Sequence, residues 1–168
     1  MAFMEVSPKQ MEGNVFSTIN DGWMLITAGT KEKCNTMTAS WGGLGILWGH
    51  EASFIFVRHS RYTFQFIEKE DTYSLCFFDE EHKEKLNYLG SASGRDEDKI
   101  KKAGLHTAYY KGTPYFTEAK WVFICKKLYS DDLGPDKFIE KSIDDMYQDH
   151  DYHRMYIGEI ITALKKEG

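Results

Sequence analysis

Hydrophobic and polar positions divide the chain into short extended runs separated by glycine and charge. Trp23 to Thr30 is almost wholly apolar, Lys31-Glu32-Lys33 is a polar turn, and Asn35 to Trp41 alternates small polar with apolar side chains. That order predicts two strands joined as a hairpin. Glycines 42, 43, 45 and 49 then interrupt an apolar run, and Ser53 to Arg58 resumes strand character. Dense glycine there permits close backbone approach, either to a ligand or to another strand. After Arg58 the period lengthens: Ser60 is a candidate cap, and Tyr62, Phe66 and Ile67 share a helical face ending near Lys69. Thr72 to Phe78 and Lys120 to Tyr129 read as strands, and Tyr156 to Leu164 as a final one. Glu80 to Leu89 reads as an amphipathic helix, and Asp96 to Ala103 as a short helix capped by Asp96. The acidic stretch Asp144 to Asp151 reads as a solvated loop or helix end.

Many strands at short spacing with brief helices predict a mainly β, α+β architecture, a closed or partly closed barrel. No repeat or linker splits the hydrophobic pattern, so residues 1–168 are expected to form one domain. Aromatic residues make up 15% of the chain, a bias that suits half-buried strands and leaves rings to stack on a flat ligand.

Charge narrows the partners. The net formal charge is −5 and no basic block occurs, which argues against nucleic acid. The 16-residue uncharged stretch from Cys34 to Gly49 is too short and too polar to span a bilayer. Met1 to Val6 has neither a basic nor an apolar run, so no signal peptide is expected, and no membrane partner. Cys34, Cys76 and Cys125 are widely spaced and unpaired in pattern, which fits a reducing cytoplasm. The six histidines, at 50, 59, 82, 106, 150 and 153, include no HExxH, and no metal site is expected.

Three segments carry candidate chemistry. Arg58-His59-Ser60-Arg61-Tyr62-Thr63 lies where a strand gives way to a helix, so unpaired N–H groups, two hydroxyls and two guanidinium groups converge on one corner suited to a phosphate. An ordinary capping motif with surface arginines uses the same residues. Ser93-Gly94-Arg95-Asp96-Glu97-Asp98-Lys99 places Arg95 and Lys99 one helical turn apart, either on one anion or on a solvated charged face. Asn35-Thr36-Met37-Thr38-Ala39-Ser40-Trp41 can offer backbone groups and the Trp41 wall to a heterocycle, or be a Thr-rich edge strand. Gly43-Leu44-Gly45-Ile46-Leu47-Trp48 begins like a dinucleotide fingerprint but has Trp in place of the third glycine, so a Rossmann fold is disfavoured.

Taken in order, these three segments resemble the flavin reductase-like, FMN-binding split-barrel family, and its flavoredoxin branch in particular. The resemblance runs from about Trp23 to the final strand. It implies a six-stranded antiparallel split barrel that forms a homodimer with FMN near the interface. It implies that Asn35, Thr36, Met37, Thr38, Ala39, Ser40 and Trp41 line the isoalloxazine ring. By the same likeness Arg58, Ser60, Arg61, Tyr62 and Thr63 surround the phosphate, with Ser93, Arg95 and Lys99 completing the anion site. The implied activity is electron transfer from NADH or NADPH through the flavin to free flavin, a redox partner protein or another acceptor. His153, ahead of the final strand, is the candidate proton or hydrogen-bond donor; the family's Gly-Asp-His segment is matched here only by Asp149-His150 and Asp151-Tyr152-His153, without the glycine. A tightly FMN-bound electron carrier or sensor, and a binder of another planar phosphate ester such as a pyridoxal derivative, are the competing expectations.

Overall fold

The computed structural model describes residues 2–168; Met1 of the expected 1–168 domain lies outside them. Ten strands appear in chain order: β1 (Phe3–Val6), β2 (Met24–Gly29), β3 (Cys34–Ala39), β4 (Gly42–Leu47), β5 (His50–Arg58), β6 (Thr72–Phe77), β7 (Thr107–Tyr110), β8 (Thr113–Phe116), β9 (Trp121–Asp132) and β10 (His153–Lys166). The helices are short: α1 (Val15–Ser17), α2 (Tyr62–Lys69), α3 (Lys83–Ser91) and α4 (Lys99–Lys102). Eight strands form one antiparallel sheet in the order β3-β2-β6-β9-β10-β5-β4, with β1 added to β10, while β7 and β8 make a separate hairpin. The mainly β architecture is as expected, with more than the six strands implied. No helix among the described residues is long and apolar enough to cross a membrane.

Alternation along the central strands produces two cores. Met24, Ile26 and Ala28 of β2, Tyr73, Leu75 and Phe77 of β6, and Trp121, Phe123 and Cys125 of β9 point to one side, where Ile55, Val57, Ile67 and Tyr156 join them. Leu25, Cys76, Val122 and Ile124, the residues between, point to the other side and meet Leu86, Leu89, Leu105 and Phe116. Because both faces are covered, β2 reads as a continuous apolar run rather than an alternating one. Deep in the first core the hydroxyls of Ser53 and Tyr73 lie 2.7 Å apart, satisfying a fully buried phenol.

Two elements depart from the sequence expectation. The glycine-interrupted run is itself a strand, β4, paired with β5 from Gly42↔Ile55 to Leu47↔His50. Its tip is a two-residue turn, Trp48-Gly49, with φ of 51° and 74°; a left-handed pair of this kind matches strand twist and favours glycine at its second position. Lys111-Gly112 makes the same kind of turn between β7 and β8, a hairpin not anticipated.

Two caps also shift by a residue or two. Arg61, in extended conformation, precedes α2 where Ser60 was expected to cap, because the Ser60 hydroxyl is engaged by Asp151 instead. Asp98, not Asp96, caps α4, its carboxylate accepting the Lys101 N–H at 3.2 Å, and the helix is only one turn long. The expected helix over Glu80 to Leu89 begins as a 3₁₀ turn over Glu80–His82 and continues as α3.

Candidate functional site

In chain order, the first candidate segment, 35–41, runs along β3 at one end of the sheet, and the second, 58–63, forms the β5–α2 corner. Between them lies a cleft of about 180 Å³ lined by Met37, Thr38, Ala39, Ser40, Trp41, Phe56, Arg58, Arg61 and His153. The first and second segments therefore meet, together with the candidate histidine. A second cleft, of about 690 Å³, takes Asn35, Tyr62, Arg95 and Lys99, along with Lys31, Lys33, Cys34 and Tyr109. Most of the expected site residues thus fall on one or other of two clefts, while Thr36, Ser60, Thr63 and Ser93 line neither.

Along β3 the roles differ by position. Asn35 is buried and donates to the Thr63 hydroxyl at 2.9 Å, tying the strand to α2. The Thr36 side chain points into the core, where its hydroxyl lies 2.8 Å from that of Thr27 and 3.1 Å from the Ile26 carbonyl, so it is a packing residue and not a lining one. Met37 packs into the core while lining the smaller cleft. Thr38 donates to the Leu86 carbonyl at 2.5 Å, joining β3 to α3. Trp41 is 45% exposed, and its ring centroid stands 5.4 Å from that of His153.

The positive charges differ in how far they are committed. Arg58 donates to the Asp151 carbonyl at 3.1 Å and the Met146 carbonyl at 3.4 Å, with Asp149 3.6 Å away. Arg61 donates through Nη1 to the Gly90 carbonyl at 3.0 Å, and its buried Nη2 has no partner. Lys99, 3% exposed, donates to the Leu89 and Ala92 carbonyls at 2.8 and 2.9 Å, capping the end of α3. Burial, reinforced by the nearby Arg61 charge, lowers the Lys99 ammonium to about 8. Burial likewise pulls the Arg61 guanidinium below its usual value. Two desolvated cations therefore share one corner, and the groups they bond are neutral carbonyls. An anion placed there would offset both charges.

The third segment folds over this corner. Ser93 accepts the Arg95 N–H at 3.2 Å, and Arg95 donates to the Ser60 carbonyl at 2.9 Å while stacking over Tyr62, 5.0 Å from its centroid. Gly94 lies against Asn35 so closely that a Cβ there would sit 2.2 Å from the Asn35 Oδ1.

His153 is the first residue of β10 and is buried, with Nδ1 2.6 Å from the Tyr147 hydroxyl. Burial, then the Arg58 charge, lower its imidazole to about 4, so it is neutral at pH 7. A neutral ring accepting the phenol proton at Nδ1 carries its own proton on Nε2. Tyr147, against His153, was not singled out in the sequence, and Asp151, against Ser60, entered only through the partial match Asp151-Tyr152-His153.

The family model described as "Flavin reductase like domain" matches residues 16–168. A search among curated proteins finds no match. Among solved structures, flavoredoxin from Methanosarcina acetivorans is 23% identical with a TM-score of 0.67, covering 87% of this chain and 69% of that one. An FMN-binding domain of a flavin reductases-like enzyme from Shewanella baltica is 17% identical with a TM-score of 0.69, covering 98% and 77%. The NADH:FAD oxidoreductase from Streptomyces globisporus is 16% identical with a TM-score of 0.65, covering 86% and 75%. These likenesses concern the fold, and the family model covers nearly the whole length. The chain belongs to the flavin reductase like domain family.

Proposed function

We propose that this protein binds FMN between β3, the β5–α2 corner and the Ser93–Lys99 loop, and passes electrons from NADH or NADPH to an acceptor. The observation that carries the reading is the buried Arg61–Lys99 corner, whose unpartnered Arg61 Nη2 and two desolvated charges suit a phosphate monoester. When bound, the flavin supplies hydride acceptance and one- or two-electron release. The chain supplies position and polarity. Arg61 and Lys99 hold the phosphate, the backbone of Met37 to Ser40 faces the ring edge, and Trp41 walls one side. His153 offers Nε2–H as a neutral donor, and Tyr147 fixes its tautomer.

A second copy of the chain completes the site in this reading. The smaller cleft, about 180 Å³, falls short of the roughly 300–1,000 Å³ usual for a ligand pocket. Trp41 is half exposed, and β4 presents a free edge with Ile46 and Trp48 exposed beside it. Sedimentation across a concentration series is expected to report a dimer, and a monomer at every concentration contradicts the shared site.

The covering of Arg58 and His153 by the segment around Tyr147 favours a second reading, an FMN electron carrier reduced by another protein. The visible spectrum of the purified protein tests the common part: flavin bands near about 370 and about 450 nm are expected. Oxidation of NADH or NADPH, followed at about 340 nm with FMN present, then separates the two readings. Turnover supports the reductase, and reduction by dithionite alone supports the carrier. A protein that binds no flavin overturns both.

A further inference from the structure

Ser60 already holds an anion, and the chain itself provides it. The Asp151 carboxylate accepts the Ser60 backbone N–H at 3.1 Å through Oδ1 and the Ser60 hydroxyl through Oδ2. A backbone N–H and a hydroxyl at a strand-to-helix corner are the donors that a phosphate oxygen would take.

The flanking segment is fastened by the same corner. Arg58 holds the Met146 and Asp151 carbonyls, lies 3.6 Å from the Asp149 carboxylate and stacks 5.0 Å from the Tyr147 ring centroid. Tyr147 is buried against His153, and Tyr152 donates to Asp144 at 2.6 Å. Meanwhile the segment's aliphatic residues Ile143 and Met146 face solvent, as does Ile139 just before it. Apart from the rings of Tyr147 and Tyr152, packed on each other and on Phe138, little apolar burial holds it down, so its closure depends in part on polar contacts that a competing anion can replace.

Resting on the FMN reading above, we infer that residues 141–152 form a latch, closed by Asp151 acting as a stand-in for the ligand's phosphate at Ser60. A phosphate at the corner brings like charge against Asp151, and the two cannot share the same donors. Binding of FMN therefore displaces Asp151 and loosens the segment, and the closed fraction lowers apparent FMN affinity. Riboflavin has the same ring and no phosphate, so it does not compete with Asp151.

Isothermal titration of wild type and Asp151→Ala with FMN and with riboflavin tests the competition. Expected is an FMN affinity at least about threefold tighter in the variant, with riboflavin changed less than about twofold. Unchanged or weaker FMN binding overturns the latch and makes Asp151 a positioning residue for Ser60. Hydrogen exchange on wild type serves even if the variant folds poorly: FMN is expected to speed exchange across 141–152 and riboflavin is not. Slowed or unchanged exchange in a protein to which FMN binds overturns the proposal. Inorganic phosphate, against chloride at matched ionic strength, separates the two layers of argument. Faster exchange over 141–152 with phosphate, in a protein that binds no flavin, sinks the FMN reading and keeps the latch; no response to phosphate or to FMN sinks the latch.

Discussion

His153 stands directly opposite Arg58 in the antiparallel β5–β10 ladder, and the guanidinium charge is the second cause, after burial, of the imidazole's lowered pKa. The pairing puts the candidate donor and a corner arginine on neighbouring strands at one level of the site. It also makes the site sensitive to acid. An unfolded histidine takes up its proton near pH 6.5, whereas folded His153 resists until about 4. Between those values the unfolded chain binds the extra proton, so stability is complete above about pH 6.5 and declines as pH falls toward 4. His153→Asn keeps an acceptor near the Nδ1 position and removes the titration. Denaturant midpoints measured across pH are expected to show the wild-type advantage over this variant shrinking through that window; a constant difference counts against a neutral buried His153.

Lys99 gives a pH dependence in the opposite direction, on binding rather than folding. Its ammonium, lowered to about 8, is charged at pH 7 and loses its proton as pH rises through that value. A bound phosphate favours the charged form, so FMN affinity is expected to be full below about pH 8 and to fall above it. Lys99→Met weakens binding at pH 7 and flattens the profile. Identical profiles for variant and wild type would falsify a phosphate role for Lys99.

Arg61→Ala removes the unpartnered Nη2 together with its charge. A charge-assisted contact contributes about 1.5–3 kcal/mol, so FMN affinity is expected to drop by more than about tenfold. Fluorescence titration checks this, and equal affinity in the two proteins makes Arg61 a structural cap on the Gly90 carbonyl.

Gly158 is predicted to be intolerant of a methyl group. A Cβ there would lie 2.3 Å from the Tyr73 hydroxyl oxygen, which is fully buried and bonded to Ser53. Overpacking and a broken buried hydrogen bond together cost about 2–4 kcal/mol, read as a lower denaturation midpoint for Gly158→Ala. Adding Tyr73→Phe takes away the clashing oxygen, so the double variant is expected to recover part of the loss. Strict additivity of the two substitutions would contradict the contact.

The long strands were legible because each carries its own signal. β2, most of β6 and residues 121–125 of β9 are apolar or β-branched, since those stretches are buried on both faces. β4 was not, because three glycines within it suppress strand propensity while close packing demands one of them: a Cβ on Gly42 would meet the Phe54 carbonyl oxygen at 2.8 Å. The β7–β8 hairpin hid behind Pro114, whose missing N–H argues against a strand, although Lys111-Gly112 marks the turn. Of the site, the local chemistry of Arg58 to Thr63 and of Ser93 to Lys99 was readable in the chain. Asp151 was not, for it lies 91 positions from Ser60 and arrives only through the register of β5 with β10. That the Thr36 side chain turns inward was not readable, because the inward and outward sides of β3 cannot be told apart until β2 is paired beside it.

Ser40 and Trp41 join β3 to β4, the two strands that end the same sheet. The opening in the barrel is therefore a seam, with its two lips tethered by two residues and no ladder drawn across it among the described residues. Lips so tethered cannot part far at that end, yet no backbone hydrogen bond needs to break for them to breathe. Changing the tether's length by a residue is thus the most direct way to regauge the aperture, leaving the rest of the sheet's pairing intact.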